Sequence, residues 1–500
     1  MEITATDRQK SLPGYKLLKS FETSVTILLV ALAVFHVMVS AFQYVILWKP
    51  LRVYEYMAAG ILAFAVVLYL LISLLFYSWN LERIRAFLRR MTSWEQIFLL
   101  VFTGWFGVSC LINKSLPRPG YTNMNTWYAF DVLINAAVLF PLAKILCSKR
   151  AQKVIEWIIL LILAAYSAFT IYGLWHLFHR NTVKVPYGSS IFMNKDPYAL
   201  RLACHYNITG IMALLMLAIC LYFITGLKKK WSILFLPLVL IHLFTAHLSN
   251  SRTVFLTGLI IIPIFLFFHV IREGEGRCSK KRFAAAFLFA GSVFAFYWFS
   301  RPLSFDLFEK VSHYKELVYK VDEVSVSASQ SVRPINNISG RENIWKASLK
   351  ALWHDPLTFF FGVSPTCITK ALMELGGCNF EASHAHNMVL QVGMSAGVPP
   401  MIAYCVFLFG LCVKCVHLLF DRIRTNMKSV YRIPFFILFL VVPCLVEHYI
   451  ASYHVMCGVF TLFAGWVFAL TSKEPDLNCE KDESAPAPKA CALGSMDGNG

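Results

Sequence analysis

Arg252 lies in the run Ser249-Asn250-Ser251-Arg252-Thr253, squeezed between two apolar stretches of the chain. An arginine where a helix starts adds a guanidinium to unpaired N–H groups and a positive dipole end, which suits a phosphate. The plainer reading is an arginine snorkelling to lipid headgroups. Arg341 follows Ser339 and Gly340 and precedes Glu342 and Trp345; Ser339 and Glu342 have capping-box spacing, so a helix is expected to begin there. A cation in a first turn opposes the helix dipole, so Arg341 is expected either to bind an anion or to pair with Glu342 or another nearby acid. His384-Ala385-His386-Asn387 supplies two imidazoles, the side chain best suited to proton transfer near neutral pH. An H-x-H pair can also ligate metal, and His354 and Asp355 stay open as further ligands. Either His384 or His386 could act on a hydroxyl. Arg180, Lys184, Arg201 and His205 lie in one further segment that could join the same site.

These residues are expected to be positioned by a membrane bundle. The chain is 58% hydrophobic and only 15% charged, with a mean hydropathy of +0.60. Apolar runs long enough to cross a hydrocarbon core, about 17–25 residues, recur throughout, and in lipid such runs must be helical. The fold class expected is therefore an all-α integral membrane protein of about twelve spans. They are placed near 24–46, 57–77, 96–112, 127–147, 154–177, 206–226, 232–248, 253–271, 283–300, 388–420, 434–450 and 453–471. The tenth is expected to bend at Gly397-Val398-Pro399-Pro400, because proline cannot continue the hydrogen-bond ladder. The first apolar run is too long for a cleavable signal and lacks a cleavage site.

The net charge of +18 reads as an orientation signal and not as a nucleic-acid surface. Basic clusters at Arg83–Arg90, Lys149–Lys153, Lys228–Lys230, Arg272–Arg282 and Arg422–Arg432 alternate with sparse loops holding Lys49, Arg52, Lys114 and Arg118. Both termini are thereby expected in the cytoplasm. The organisation expected is a cytoplasmic segment 1–23, a transmembrane domain 24–471 with one large external loop at 301–385, and a disordered tail 472–500. That loop should hold an amphipathic surface helix with Ile344, Trp345, Leu349, Leu352 and Trp353 as one apolar stripe, ended by Asp355-Pro356. Cys367 and Cys378 share the loop and could pair. Asp131, His242, His247, Glu447, His448 and His454 are ionisable groups near membrane ends whose roles the sequence does not rank.

Taken together, Ser251-Arg252 opening a span, Gly340-Arg341-Glu342 with Trp345 and Asp355-Pro356, and His386-Asn387 with Gly397 ten residues on resemble the O-antigen ligase superfamily. That superfamily also includes O-antigen polymerases and bacterial O-oligosaccharyltransferases. The resemblance covers about residues 200 to 415 and departs at Pro400, where relatives commonly have Gly, Thr or Tyr. It implies transfer of a glycan from undecaprenyl diphosphate to lipid A–core oligosaccharide on the periplasmic face of a bacterial inner membrane. No cofactor and no metal are implied. His386, Arg252 and Arg341 would be catalytic, with Arg180, Arg201, His384 and Asn387 on the substrates. Within the superfamily no external arginine has a glycine after ten further residues, as polymerases often do, and no domain is expected beyond the last span, as oligosaccharyltransferases usually have. A flippase of lipid-linked oligosaccharide would need cations deep in the bundle; Lys144 and Lys414 lie near span ends.

Overall fold

A computed structural model describes residues 93–115, 129, 132–145, 149–179, 182–184, 190–195, 198–202, 205–226, 229–273, 279–311, 340–420, 432–447 and 455–471, with isolated positions at 24, 28, 60, 64 and 67. Apart from those isolated positions, the expected spans 24–46 and 57–77, both terminal segments and most of the loop before Gly340 lie outside these residues. What is described is almost wholly helical. The helices are α1 (Trp94–Ser115), α2 (Phe140–Ile145, entered through a π-helical turn at Ile134–Leu139), α3 (Lys149–His179), α4 (Tyr206–Ile224), α5 (Leu236–Leu248), α6 (Arg252–Glu273) and α7 (Lys280–Val311). Then come α8 (Arg341–Leu352), α9 (Pro356–Phe361), α10 (Ile368–Glu374), α11 (Met388–Ala396), α12 (Val398–Phe420), α13 (Arg432–Cys444) and α14 (Val455–Thr471). Among the described residues six helices are long and apolar enough to cross a membrane, namely the apolar parts of α1, α3, α4, α6, α7 and α12. Shorter apolar helices stand at Ile233–Leu248, Arg432–Cys444 and Cys457–Thr471. A count of twelve is not established by these.

α4 is the centre of the bundle. Every residue from Thr209 to Leu221 is buried, which a helix apolar on all sides tolerates only with neighbours all round. Between spans the lipid is as apolar as the side chains, so close packing and not water exclusion holds the helices together. Gly210 illustrates this: a Cβ there would collide with the Ser249 hydroxyl and stand 2.9 Å from Val254 Cγ2. α4 thus presses directly on the turn between α5 and α6. On the bundle's outer surface Phe287, Leu288, Phe299, Phe409 and Phe420 are exposed, as lipid-facing residues should be.

Four local expectations are corrected. Between α3 and α4 the chain forms a three-stranded antiparallel sheet, β1 (Thr182–Lys184), β2 (Ser190–Lys195) and β3 (Tyr198–Leu202), in the order β1-β2-β3. It forms because Leu200 and Leu202 alternate inward and pack with Leu174, Leu248 and Phe305. α7 does not end at residue 300 but runs through Pro302 to Val311, since Ser304, Phe305 and Phe308 on one face are buried and that packing outweighs the bond proline removes. α13 ends at Cys444, short of the expected 450. Pro443 weakens its last turn, and Leu445 and Val446 donate back three residues in tight turns to Val442 and Pro443. In α8 the stripe divides: Ile344, Ala347, Ala351 and Leu352 are buried against α10 and α11, whereas Leu349 and Trp353 face outward.

The bend in the tenth expected span is present. α11 stops at Ala396, Gly397 has φ +100°, and α12 starts at Val398. Pro399 and Pro400 then occupy the first turn of α12, where a missing N–H costs little. The departure at Pro400 is therefore accommodated by the bend itself.

Candidate active site

The His384–Asn387 loop is held by five side-chain hydrogen bonds to residues around it. Asn387 caps α11, its Oδ1 accepting the Val389 and Leu390 N–H groups at 2.9 and 3.0 Å. Its Nδ2 donates to Leu445 O at 2.8 Å, tying the loop to the end of α13. Gln391 Oε1 accepts the Ala385 N–H at 2.9 Å, and Trp345 Nε1 on α8 donates to His386 O at 3.2 Å. Within the loop the His386 N–H donates to His384 Nδ1 at 3.3 Å, and the two rings lie 3.8 Å apart. His386 itself has φ +49°, a left-handed conformation that a non-glycine residue holds only when its surroundings impose it.

Glu447 sits three residues past the end of α13, in the turn toward α14, and is 1% exposed. Its Oε2 meets His386 Nδ1 at 3.2 Å. Its Oε1 accepts from Arg341 Nη2 at 2.5 Å and from Asn207 Nδ2 at 3.2 Å. Arg341 begins α8 behind Gly340, the N-cap at φ +72°; Ser339 lies outside the described residues. Glu342 pairs with Lys346 at 2.7 Å and not with Arg341. Arg341 thus has an acid partner, but that acid's other oxygen holds His386, so the pairing assembles the site. Arg341 Nε is buried without a hydrogen-bond partner, leaving donor capacity for an oxyanion. Burial alone would raise the Glu447 carboxyl; the His386 hydrogen bond and the charges of His386, Arg341 and His384 overcome it and hold the group at about 2.

Arg252 is the first residue of α6. The structure places its turn beside this cluster through α4. Asn207, which touches Glu447, and Gly210, which packs on Ser249, are three residues apart and so share one face of that helix. Arg201 lies on β3 opposite Phe192, just ahead of α4, and the Leu202 N–H donates to Thr209 Oγ1 at 3.1 Å. His205 caps α4 by accepting the Asn207 N–H at 3.3 Å. Arg180 lies outside the described residues, as do Asp131, His448 and His454. Cys367 and Cys378 are free thiols.

A neutral His386 that donates its Nδ1–H to Glu447 keeps the Nε2 lone pair for an incoming hydroxyl proton. One nitrogen of each histidine and a Glu447 oxygen lie within 4.8 Å of one another, close enough to share a cation. Arg341 argues against that use, because its guanidinium already occupies Glu447 Oε1 and its charge would repel a divalent ion. Sequence reasoning ranked neither Glu447 nor Asn207. The signal was present for Glu447: a carboxylate near a membrane end must find cations or stay protonated.

Residues 237–405 match the family model for O-antigen ligases. The match supports kinship with the O-antigen ligase superfamily over this stretch of the chain. Arg252, Arg341 and His386 all fall within the matched stretch, whereas Asn207 and Glu447, which complete the site, fall outside. A search of curated proteins gives no match to the chain. The match suggests a glycosyl-transferring enzyme of the O-antigen ligase type, and with the apolar helices it supports a membrane setting.

Proposed function

We propose that the chain is an O-antigen ligase, which transfers a glycan from undecaprenyl diphosphate to lipid A–core oligosaccharide on the periplasmic face of a bacterial inner membrane. The observation that carries the reading is the shared carboxylate of Glu447, with a potential base on one oxygen and a cationic anion binder on the other. Glycosyl transfer needs both at once. The acceptor hydroxyl attacks the anomeric carbon; its proton passes to His386 Nε2, and the bond to the diphosphate oxygen breaks. Arg341 and Arg252 stabilise the charge that develops on that diphosphate. Attack from the face opposite the leaving group inverts the anomeric centre. His384 acts by bracing the His386 backbone, Asn387 by fixing the loop on α11 and α13, and Arg201 is proposed on the substrate side of α4. Neither cofactor nor metal takes part in the proposed reaction.

The test is complementation in a strain lacking its own ligase, with lipopolysaccharide resolved on a gel. Wild type is expected to restore the long-chain ladder. Arg252→Ala, Arg341→Ala and His386→Ala, at normal membrane levels, are expected to lose it while undecaprenyl-linked polymer accumulates. If wild type instead leaves polymer unattached and restores chain extension to a polymerase-deficient strain, the chain is a polymerase. Three variants indistinguishable from wild type would remove this site from the reaction.

A further inference from the structure

Arg301 carries a second, unassigned positive charge into the neighbourhood of Arg252. It lies on α7, 21 residues from the helix start, and is 3% exposed. Its Nη2 donates to Asn250 Oδ1 at 2.9 Å, and its guanidinium stands 4.6 Å from the centre of the Phe255 ring. Asn250 stands two residues ahead of the first residue of α6 and Phe255 lies in its first turn, so the guanidinium is pinned at the N-terminal end of α6. Asn250 has φ +50°, a conformation in which its side chain turns back to Arg301. Among the described residues no carboxylate forms an ion pair with Arg301, and the charge of Arg252 acts on it. His247, whose Nε2 meets Ser300 Oγ at 2.9 Å, adjoins the same group and keeps a buried Nδ1 without a partner.

Two guanidiniums brought together at the start of a helix, one of them buried with only a neutral amide to bond, form an arrangement that an anion completes. A buried charge without a counter-ion is costly, and a guanidinium has five donors in a planar fork suited to phosphate oxygens. The positive end of the α6 dipole adds to the field. We propose that Arg301 and Arg252 form one phosphate pocket, which takes a phosphate group of the donor's diphosphate ester. Arg341 and His386, along the same face of α4, then face the phosphate or sugar next to it. The identity of the ester rests on the ligase reading; the pocket does not.

The test uses the full chain in phosphatidylcholine nanodiscs with inorganic pyrophosphate as the probe, read as the rise in melting temperature with concentration. Wild type is expected to respond. Arg301→Lys keeps the charge but loses the fork, and its pyrophosphate midpoint is expected to rise by about tenfold or more. Arg301→Met is expected to show no response, and, freed of an unpaired charge, to melt no lower than wild type without ligand. A wild-type midpoint in Arg301→Lys overturns the pocket, whatever the stability of Arg301→Met. Nanodiscs of phosphatidylglycerol separate the two sources of phosphate. If that lipid raises the wild-type melting temperature through Arg301 and abolishes the pyrophosphate response, the pocket holds a headgroup and the donor assignment falls. The ladder assay separates the two proposals. A response that needs Arg301 in a chain unable to attach glycan leaves the pocket standing without the ligase. A full ladder from Arg301→Lys and Arg301→Met leaves the ligase standing without the pocket.

Discussion

Glu447 ties together two groups that glycosyl transfer needs to act in one step, and its charge should matter more than its shape. Glu447→Gln keeps an oxygen acceptor for Arg341 or Asn207 but offers His386 Nδ1 an amide of either polarity. His386 would lose both its fixed tautomer and the carboxylate that stabilises its protonated form. A fall in turnover of about 10²–10⁴-fold is expected, with a smaller change in acceptor KM. A variant whose turnover stays within about threefold of wild type would detach Glu447 from the chemistry. The same carboxylate makes a stability prediction whose sign is fixed. Its acid form is held near 2 in the fold, against an ordinary value of 4.5. Its contribution, on the order of 3 kcal/mol, is fully present above pH about 4.5 and is lost as pH falls toward 2. Between pH 4.5 and 2 the difference in melting temperature between wild type and Glu447→Gln should shrink. A difference that does not shrink there would show that the carboxylate is not held down. Chelation should leave transfer unchanged. Loss on chelation that zinc restores would mean that His384, His386 and Glu447 hold a metal after all.

At the scale of elements, the loop that carries His386 is aimed by the join between α9 and α12. Phe360 O accepts from Trp105 Nε1 at 2.8 Å, and Phe361 O from Asn113 Nδ2 at 3.1 Å and from the Ser109 hydroxyl, so α1 grips the end of α9. Gly362 follows at φ +65°; a Cβ there would stand 2.6 Å from Met394 O, and one on Gly397 would strike Phe360 O. Each position therefore requires glycine twice over, for its φ and for its clearance. Gly397→Ala is expected to cost roughly 1–3 kcal/mol in backbone strain before the collision is counted, and to lower both the melting temperature and the transfer rate. Pro400→Ala, in a helix first turn, should change the melting temperature by no more than a few degrees. Equal behaviour of the two variants would mean that the bend does not depend on Gly397. The bend was legible in the sequence because Gly-Val-Pro-Pro is a local signal, as was the start of α8 near Arg341. The sheet at β1–β3 and the extension of α7 through Pro302 were not. Both are decided by burial of Leu200, Leu202, Phe305 and Phe308 against one another, which no local pattern reports. Glu447 was legible as an odd charge and not as a partner, since Arg341 lies 106 positions away.

Over the whole molecule the site is drawn from distant stretches that one buried helix brings together. α4 supplies Asn207 to the Glu447 cluster and, one turn on, Gly210 to the turn that starts at Ser249. If Arg252 and Arg341 hold one diphosphate along one face of this helix, removing either should lose most of what removing both loses. Arg252→Ala and Arg341→Ala are each expected to reduce transfer by about 10²–10³-fold, on the scale of one lost oxyanion donor. The double variant should then fall well short of the product of the two, because residues that act as a unit are strongly non-additive. Strict additivity, measured as initial transfer rates at saturating acceptor, would mean that the arginines serve separate ligands. In that case α4 would divide a donor site from an acceptor site. Gly210→Val tests the same geometry from the middle. Added bulk there meets Ser249 and Val254 and should part the α6 turn from α4. Transfer should then drop while the Arg341–Glu447 pair, one turn away along that face, stays formed. If Gly210→Val leaves transfer intact, the closeness of the two clusters is not what the reaction uses.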